Sequence, residues 1–139
     1  MKVYCLILYL GLIQVLIGCT NENTHGDEDL VSGNWNLINV SGGFVGVDDD
    51  FAKGEIVWKF DAKAETLIVV NNDESSSIFN GLSSGNYNYS LLKEKDKYYL
   101  LVNDKEMGGI LFTEAKLILD QNNTTSGSGA DGFVLVLEK

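Results

Sequence analysis

The sequence predicts an all-β fold, a small antiparallel up-and-down β-barrel of about eight strands. Three observations predict it. After residue 32, apolar residues recur with a period of two, turn-rich segments interrupt this pattern, and no later segment keeps helical spacing for three turns. Eight short strands suit one closed barrel, which either fills its interior with side chains or holds one small ligand. A two-sheet β-sandwich is the alternative.

Residues 1–18 have the pattern of an export signal. One lysine precedes residues 3–17, where only Gln14 is clearly polar, and this run is shorter than the roughly 20 residues of a membrane-spanning helix. The run closes as Leu-Ile-Gly-Cys at residues 16–19, which resembles the lipobox of bacterial lipoproteins. The resemblance implies that residues 1–18 are removed and that Cys19 becomes the lipidated, palmitate-type first residue of the mature chain.

The resemblance also implies an anchor in the bacterial outer membrane, facing either the periplasm or the cell surface. The other cysteine, Cys5, lies in the predicted signal, so no disulfide is available to the mature chain. Residues 19–32 are mostly polar and acidic, which predicts a flexible tether. The single histidine, His25, belongs to this tether, and residues 33–139 form the predicted barrel domain.

The strand pattern is clearest in the second predicted strand, where Ile56, Trp58 and Phe60 share one face. We expect helix at most as a single turn, near residues 48–53 or 76–82. The predicted strands cover residues 33–40, 55–61, 65–71, 86–94, 97–103, 106–112, 114–120 and 132–138.

The first strand opens with Gly33-Asn-Trp35, which is similar to the Gly-x-Trp opening of lipocalins. The resemblance implies that Trp35 packs across the closed base of the barrel. Longer stretches resemble lipocalin-like lipoproteins of Bacteroidota, a group mostly of unknown function, over most of residues 30–139. These stretches are Gly33-Asn-Trp-Asn-Leu, Ser41-Gly-Gly-Phe-Val-Gly, Gly54-Glu-Ile-Val-Trp-Lys-Phe and Ala130-Asp-Gly-Phe.

The connections between predicted strands sort by length. Three of the four connections after odd-numbered strands are long, at residues 41–54, 72–85 and 121–131, and the fourth, at residues 104–105, is short. All connections after even-numbered strands are tight. Alternate connections of an up-and-down barrel lie at opposite ends, so we expect a tight base and a mouth framed by loops. The first strand starts at the base, so the tether leaves there and the mouth faces away from the membrane.

Charge sorts in the same way. The predicted base has five acidic residues and five lysines, so it is close to neutral. The predicted mouth is strongly acidic, which would repel anionic lipid headgroups. Its charged residues are Asp48, Asp49, Asp50, Glu55, Asp73, Glu74, Asp104, Glu106, Asp120 and Asp131 against Lys53 and Lys105.

Aromatic residues are the candidate ligand-binding residues, although core packing is the more frequent role of such residues in strands. The glycine-rich segment at residues 41–47 predicts a lid over the mouth, formed by Phe44, Val47 and Phe51, or else a plug for the barrel. The candidates are Phe44, Phe51, Trp58, Phe60, Tyr87 and Tyr89.

Asp48, Asp49 and Asp50 are candidate calcium ligands, because calcium takes carboxylate oxygens. The alternative is a solvated acidic loop. We expect no other cofactor and no enzymatic activity. Once Cys19 is acylated, the chain has no free thiol, no structured histidine and no arginine, which argues against Ser-His-Asp chemistry and histidine-based zinc sites.

A formal net charge of −10 without arginine argues against nucleic-acid binding. The sequence favours a non-catalytic, membrane-anchored lipoprotein that binds or carries a small hydrophobic ligand in its barrel. The alternative is an interaction module with a filled barrel that contacts a protein or glycan through its acidic loops. An apolar interior void of a few hundred Å³ would favour carriage, and a filled interior would favour the module.

Overall fold

The computed structural model describes residues 27–139. The predicted signal peptide and Cys19 lie outside the described residues, as does most of the predicted tether. The described chain is all-β apart from one short 3₁₀ helix, Glu28–Val31. Its strands are β1 (Gly33–Gly42), β2 (Val47–Asp50), β3 (Ile56–Asp61), β4 (Thr66–Asn71), β5 (Gly85–Glu94), β6 (Lys97–Val102), β7 (Lys105–Phe112), β8 (Lys116–Asp120), β9 (Asn123–Thr124), β10 (Gly127–Ser128) and β11 (Phe133–Glu138).

Eight of these strands form one closed antiparallel barrel, as the sequence predicts. They follow one another in the order β1, β3, β4, β5, β6, β7, β8 and β11, and β11 pairs back with β1. The closing register runs from Asn36↔Glu138 to Gly42↔Phe133. Because this pairing joins the sheet to itself, the alternative of a two-sheet sandwich is wrong.

The barrel interior is filled by apolar side chains. Period-two alternation turns Ile56, Trp58 and Phe60 inward on β3, where their exposed fractions are 0%, 0% and 2%. In β11 the same alternation buries Leu135 and Leu137 completely. Further fully buried side chains come from all sides of the barrel, namely Trp35, Leu37, Leu67, Leu100, Leu117 and Leu119.

The base of the barrel is covered by the 3₁₀ helix. Val31 is fully buried, and its carbonyl oxygen accepts a hydrogen bond from Trp35 Nε1 at 2.6 Å. Trp35 therefore lies at the base, as the resemblance to lipocalins implies. Residues 27–32, expected to be the end of a flexible tether, instead pack against the barrel, because Val31 supplies an apolar anchor within an acidic stretch.

The strand pattern missed β2. This strand pairs with the upper half of β1, from Asn39↔Asp50 to Gly42↔Val47, so no helical turn forms at residues 48–53. Three successive aspartates have low strand propensity, and hydrogen bonding to β1 overrides it. Residues 76–82 likewise form no helical turn.

The two ends of the barrel differ as predicted. The connections at residues 62–65, 95–96 and 113–115 are tight and lie at the base, whereas residues 72–84 and 121–132 form long connections at the mouth. Across residues 27–139, the structure contains no helix with the length and apolar character needed to cross a membrane.

Truncation of a core leucine tests whether the interior is filled. Leu135 is fully buried, so Leu135→Ala leaves a cavity, and we expect it to lower the free energy of unfolding by about 2–5 kcal/mol. Leu111 is 71% exposed, so Leu111→Ala is the matched control, with an expected change within about 0.5 kcal/mol. Denaturant unfolding measures both. Equal effects from the two variants would contradict a close-packed interior.

Candidate functional site

The candidate functional site is a cleft of about 540 Å³ at the mouth end of the molecule, outside the packed barrel. Residues 45–51, which include β2, form one wall, and residues 75–78 form the other. We call it the mouth cleft. Apolar side chains at its rim are open to solvent, since Val45 is 74% exposed and Ile78 is 65% exposed. This is the kind of surface that macromolecular partners contact.

The first wall is a β-hairpin whose turn requires glycine. Gly43 has a φ of 71°, and a Cβ atom there would lie 2.6 Å from the ring of Phe133. The turn therefore rests directly on Phe133 and directs its next residue, Phe44, into solvent, where it is 90% exposed.

The second wall belongs to the connection at residues 72–84 and is organised by Asp73. One carboxylate oxygen, Oδ1, accepts a hydrogen bond from the Ser75 amide at 2.8 Å. The other oxygen, Oδ2, accepts hydrogen bonds from the Ser77 hydroxyl and from the Asn80 side-chain amide, each at 2.8 Å. A single carboxylate thus ties Asp73 to three other residues of the loop.

Hydrogen bonding holds the pKa of Asp73 well below its usual value, with the Ser75 side chain contributing most, followed by the Asn80 side chain and the Ser75 backbone N–H. The charged form is therefore favoured in the folded loop. Since the folded pKa is depressed, the stabilising contribution is fully present above the unfolded pKa of about 3.9 and is lost as the pH falls through the lowered value.

The same connection covers the barrel. Gly81 lies over the core, where a Cβ atom would be 3.3 Å from Trp58 and 3.4 Å from Leu37. Phe79 stacks on Phe133 with ring centroids 4.4 Å apart. Because Phe133 also supports Gly43, this stack links the two walls of the mouth cleft.

The lid therefore differs from the predicted one. The sequence predicts that Phe44, Val47 and Phe51 either fold over the mouth or plug the barrel. Phe44 points into solvent, whereas Phe51 packs in the core, and residues 79–82 cover the barrel. One feature of the sequence points to this cover. The connection is rich in Ser and Asn but contains the apolar residues Ile78, Phe79 and Leu82.

The six predicted ligand-binding aromatics do not form one site. Trp58, Phe60 and Tyr89 are core residues, with Phe60 and Tyr89 packed edge to face at 4.9 Å between ring centroids. Tyr87 packs against that core and donates a hydrogen bond from its hydroxyl to the Ser83 carbonyl at 2.8 Å. Phe51 is 9% exposed and contributes to both the core and the wall of the mouth cleft.

Tyr89 also belongs to the closed base. Its hydroxyl lies 3.5 Å from the Glu28 carbonyl oxygen, to which it donates. Burial raises the pKa of Tyr89 above its usual value, and the carboxylates of Glu28 and Asp61 raise it further. The phenol therefore stays protonated as a hydrogen-bond donor.

The three aspartates of β2 do not converge. Asp48 and Asp50 share one face, where each accepts a hydrogen bond from Asn39 Nδ2 at 2.9 Å. Asp49 lies on the other face of β2, the same face as its partner Val40 on β1. Within residues 27–139, no group of three His, Cys, Asp or Glu side chains is placed to hold a metal ion.

Lys53, predicted to lie at the mouth, lies beside the base-proximal end of β11. Its amine is 3.1 Å from Glu138 Oε2, and this contact is the main cause of the lowered pKa of Glu138. Lys116 also pairs with Glu138 at 3.6 Å. In the described part of the chain, the ion pairs thus leave the carboxylates of β2 without a cationic partner.

Comparison with known proteins gives no relative. No protein-family profile, curated protein or solved structure matches the chain.

Removing the charge of Asp73 tests how the second wall is held. We expect Asp73→Asn to weaken the bonds to Ser75, Ser77 and Asn80, so that amide hydrogen exchange of residues 75–80 becomes faster while the barrel strands exchange unchanged. Glu74→Gln is the control, because it removes the same charge from the neighbouring exposed position. Equal effects of both variants would mean that loop charge, and not the Asp73 network, orders the wall.

Proposed function

We propose that this protein is a membrane-anchored, non-catalytic interaction module of the bacterial cell envelope, which contacts a protein or glycan through the mouth cleft. The observation that carries the proposal is the packed barrel beside an open cleft. Trp58 and Leu135 are fully buried, whereas Phe44 and Val45 are exposed beside the cleft. A filled interior favours recognition at the outer surface over carriage inside the barrel.

The anchor is part of the proposal. The Leu-Ile-Gly-Cys stretch and the resemblance to lipocalin-like lipoproteins of Bacteroidota support lipidation at Cys19 and attachment to the outer membrane. Residues 27–32 pack at the base, so the chain approaches the barrel from the end opposite the mouth cleft. An anchored protein with this arrangement would present the cleft away from the membrane.

A lipid surface is a poor partner for the mouth. Phe44 and Val45 could enter a membrane interface, but Asp48, Asp49 and Asp50 follow them within the same hairpin. Anionic headgroups repel such a cluster of carboxylates. A macromolecule with apolar and cationic groups fits this surface better.

Carriage of a small ligand is the second candidate, and one observation favours it. Trp58 Nε1 is buried without a hydrogen-bond partner among the described residues. A buried N–H usually has an acceptor, and the carbonyl of a small bound molecule would supply one. The close-packed apolar side chains around Trp58 argue for the interaction module as the first candidate.

Replacement of the lipidated cysteine tests the anchor. We expect Cys19→Ser to lose labelling by palmitate analogues, because the thiol is the acylated group, and to keep residues 1–18, because the cut before residue 19 follows lipidation. Cys5→Ser is the matched control and should remain labelled and cleaved. Continued labelling of Cys19→Ser protein would overturn the proposed lipid anchor.

Site-specific cross-linking tests the proposed contact surface. With a photo-activated amino acid at position 44, we expect adducts with a defined macromolecule in intact cells of the native host, because this side chain is 90% exposed beside the mouth cleft. Position 111 is the control, since Leu111 is similarly exposed but lies on β7 in the barrel wall.

Adducts at position 111 but not at position 44 would contradict the proposed surface. Native mass spectrometry of the protein purified from its host separates the two candidates. A stoichiometric small molecule released on denaturation, without adducts at position 44, would replace the interaction module by a carrier.

A further inference from the structure

We propose that the mouth cleft binds an extended, lysine- or arginine-rich segment of a protein partner, which adds as an antiparallel strand to the free edge of β2. The inference rests on the proposed function as an interaction module and names the chemistry of its partner. It follows from three features of β2, namely its open backbone edge, the cleft beside that edge, and its carboxylates, which form no ion pair with the described residues.

The first feature is the open edge. Within residues 27–139, β2 has β1 as its sole strand neighbour and ends the order of strands in the sheet. The Phe51 amide donates to the Ile38 carbonyl at 2.9 Å, so alternation directs the main-chain groups of Asp49 towards β1 as well. The N–H and C=O groups of Asp48 and Asp50 consequently face away from β1, where an added strand would pair with them.

The second feature is the space beside this edge. The mouth cleft runs along residues 45–51 and is bounded on its far side by residues 75–78. Four residues of β2 span about 14 Å in an extended conformation. An added strand would lie between β2 and the second wall, where Val45 and Ile78 offer apolar contact at the rim.

The third feature is charge. Asp48 and Asp50 lie on one face and accept hydrogen bonds from the neutral Asn39 amide. The ion pairs of Lys53 and Lys116 are both with Glu138 and not with these aspartates. Cationic side chains on an added strand would supply the missing opposite charge, since cross-strand pairs of opposite charge are stabilising.

The same charge argues against a second copy of this chain as the occupant. Pairing of two β2 edges would place Asp48–Asp50 of one copy against the same run of the other, and like charges opposite one another are destabilising. A basic segment of another protein has no such conflict.

The geometry specifies which amides of the added strand are used. Residues directly opposite Asp48 and Asp50 share their face and turn their own N–H and C=O groups towards β2. In a peptide of alternating lysine and valine, lysines on this face would therefore use their amides for pairing. The valine side chains would lie on the face of Val47 and Phe51, and the valine amides would point away from β2.

The test uses the full-length lipoprotein in detergent and an eight-residue, end-capped lysine–valine peptide with a fluorescent label, measured by fluorescence anisotropy. We expect binding that weakens with salt. N-methylation of the lysine amides should weaken the affinity at least about tenfold, because it removes interstrand hydrogen bonds. N-methylation of the valine amides should leave the affinity unchanged. Equal binding by both methylated peptides would overturn strand addition and leave only charge attraction.

Two further measurements locate the peptide. Amide hydrogen exchange at residue resolution should show new protection at Asp48 and Asp50, with Asp49 unchanged. The double variant Asp48→Asn/Asp50→Asn should bind about tenfold more weakly, whereas Asp104→Asn/Asp131→Asn, which removes the same charge from exposed positions, should bind normally. Equal losses in both double variants would place the peptide elsewhere on the acidic mouth.

Failure of this inference and failure of the proposed function are distinguishable. If the lysine–valine peptide does not bind while position 44 still forms adducts with a macromolecule, the module stands and its partner is not a basic strand. If position 44 forms no adducts, the proposed function itself fails, whatever the peptide does.

Discussion

The pairing of β1 with three other strands is the constraint on which the rest of the structure depends. Its lower half pairs with β3, its upper half pairs with β2, and β11 runs along most of its other side. The pairing with β11 closes the barrel and fixes which face of every strand is inside. The irregularity between Leu37 and Asn39 in that pairing lies where the partner on the other side of β1 changes from β3 to β2. One strand thus completes the core and also extends beyond it as the hairpin of the mouth cleft.

This division separates the stability of the fold from its exposed surface. Core packing around Trp58 and Leu135 and the hydrogen bond from Trp35 to Val31 are complete without any ligand. The mouth cleft depends on smaller interactions, chiefly the hydrogen bonds to Asp73 and the stack of Phe79 on Phe133. Changes to the exposed residues of the cleft wall therefore leave the barrel largely undisturbed, and recognition could vary while the scaffold stayed the same.

The sequence predicts the barrel well because its signal is repeated in most of the strands. Alternation in Ile56, Trp58 and Phe60 follows directly from burial of one face, and eight such strands allow few other arrangements. The site was harder to predict. β2 consists largely of aspartates with low strand propensity, so its pairing with β1 depends on contacts distant from any local pattern. The 90% exposure of Phe44 depends on how Gly43 packs against Phe133, which local spacing does not reveal.

The aspartates that hide β2 from sequence analysis are also what makes its edge selective. An edge strand with apolar outward residues would pair with almost any extended chain, and natural proteins commonly prevent this with charge. Asp48 and Asp50 place charge beside the open backbone groups and are not neutralised by Lys53, which is paired with Glu138 instead. A neutral or acidic strand approaching β2 would have to desolvate these carboxylates without compensation, whereas a basic strand would not. The low strand propensity of β2 and its preference for a basic partner strand are therefore two consequences of the same aspartates.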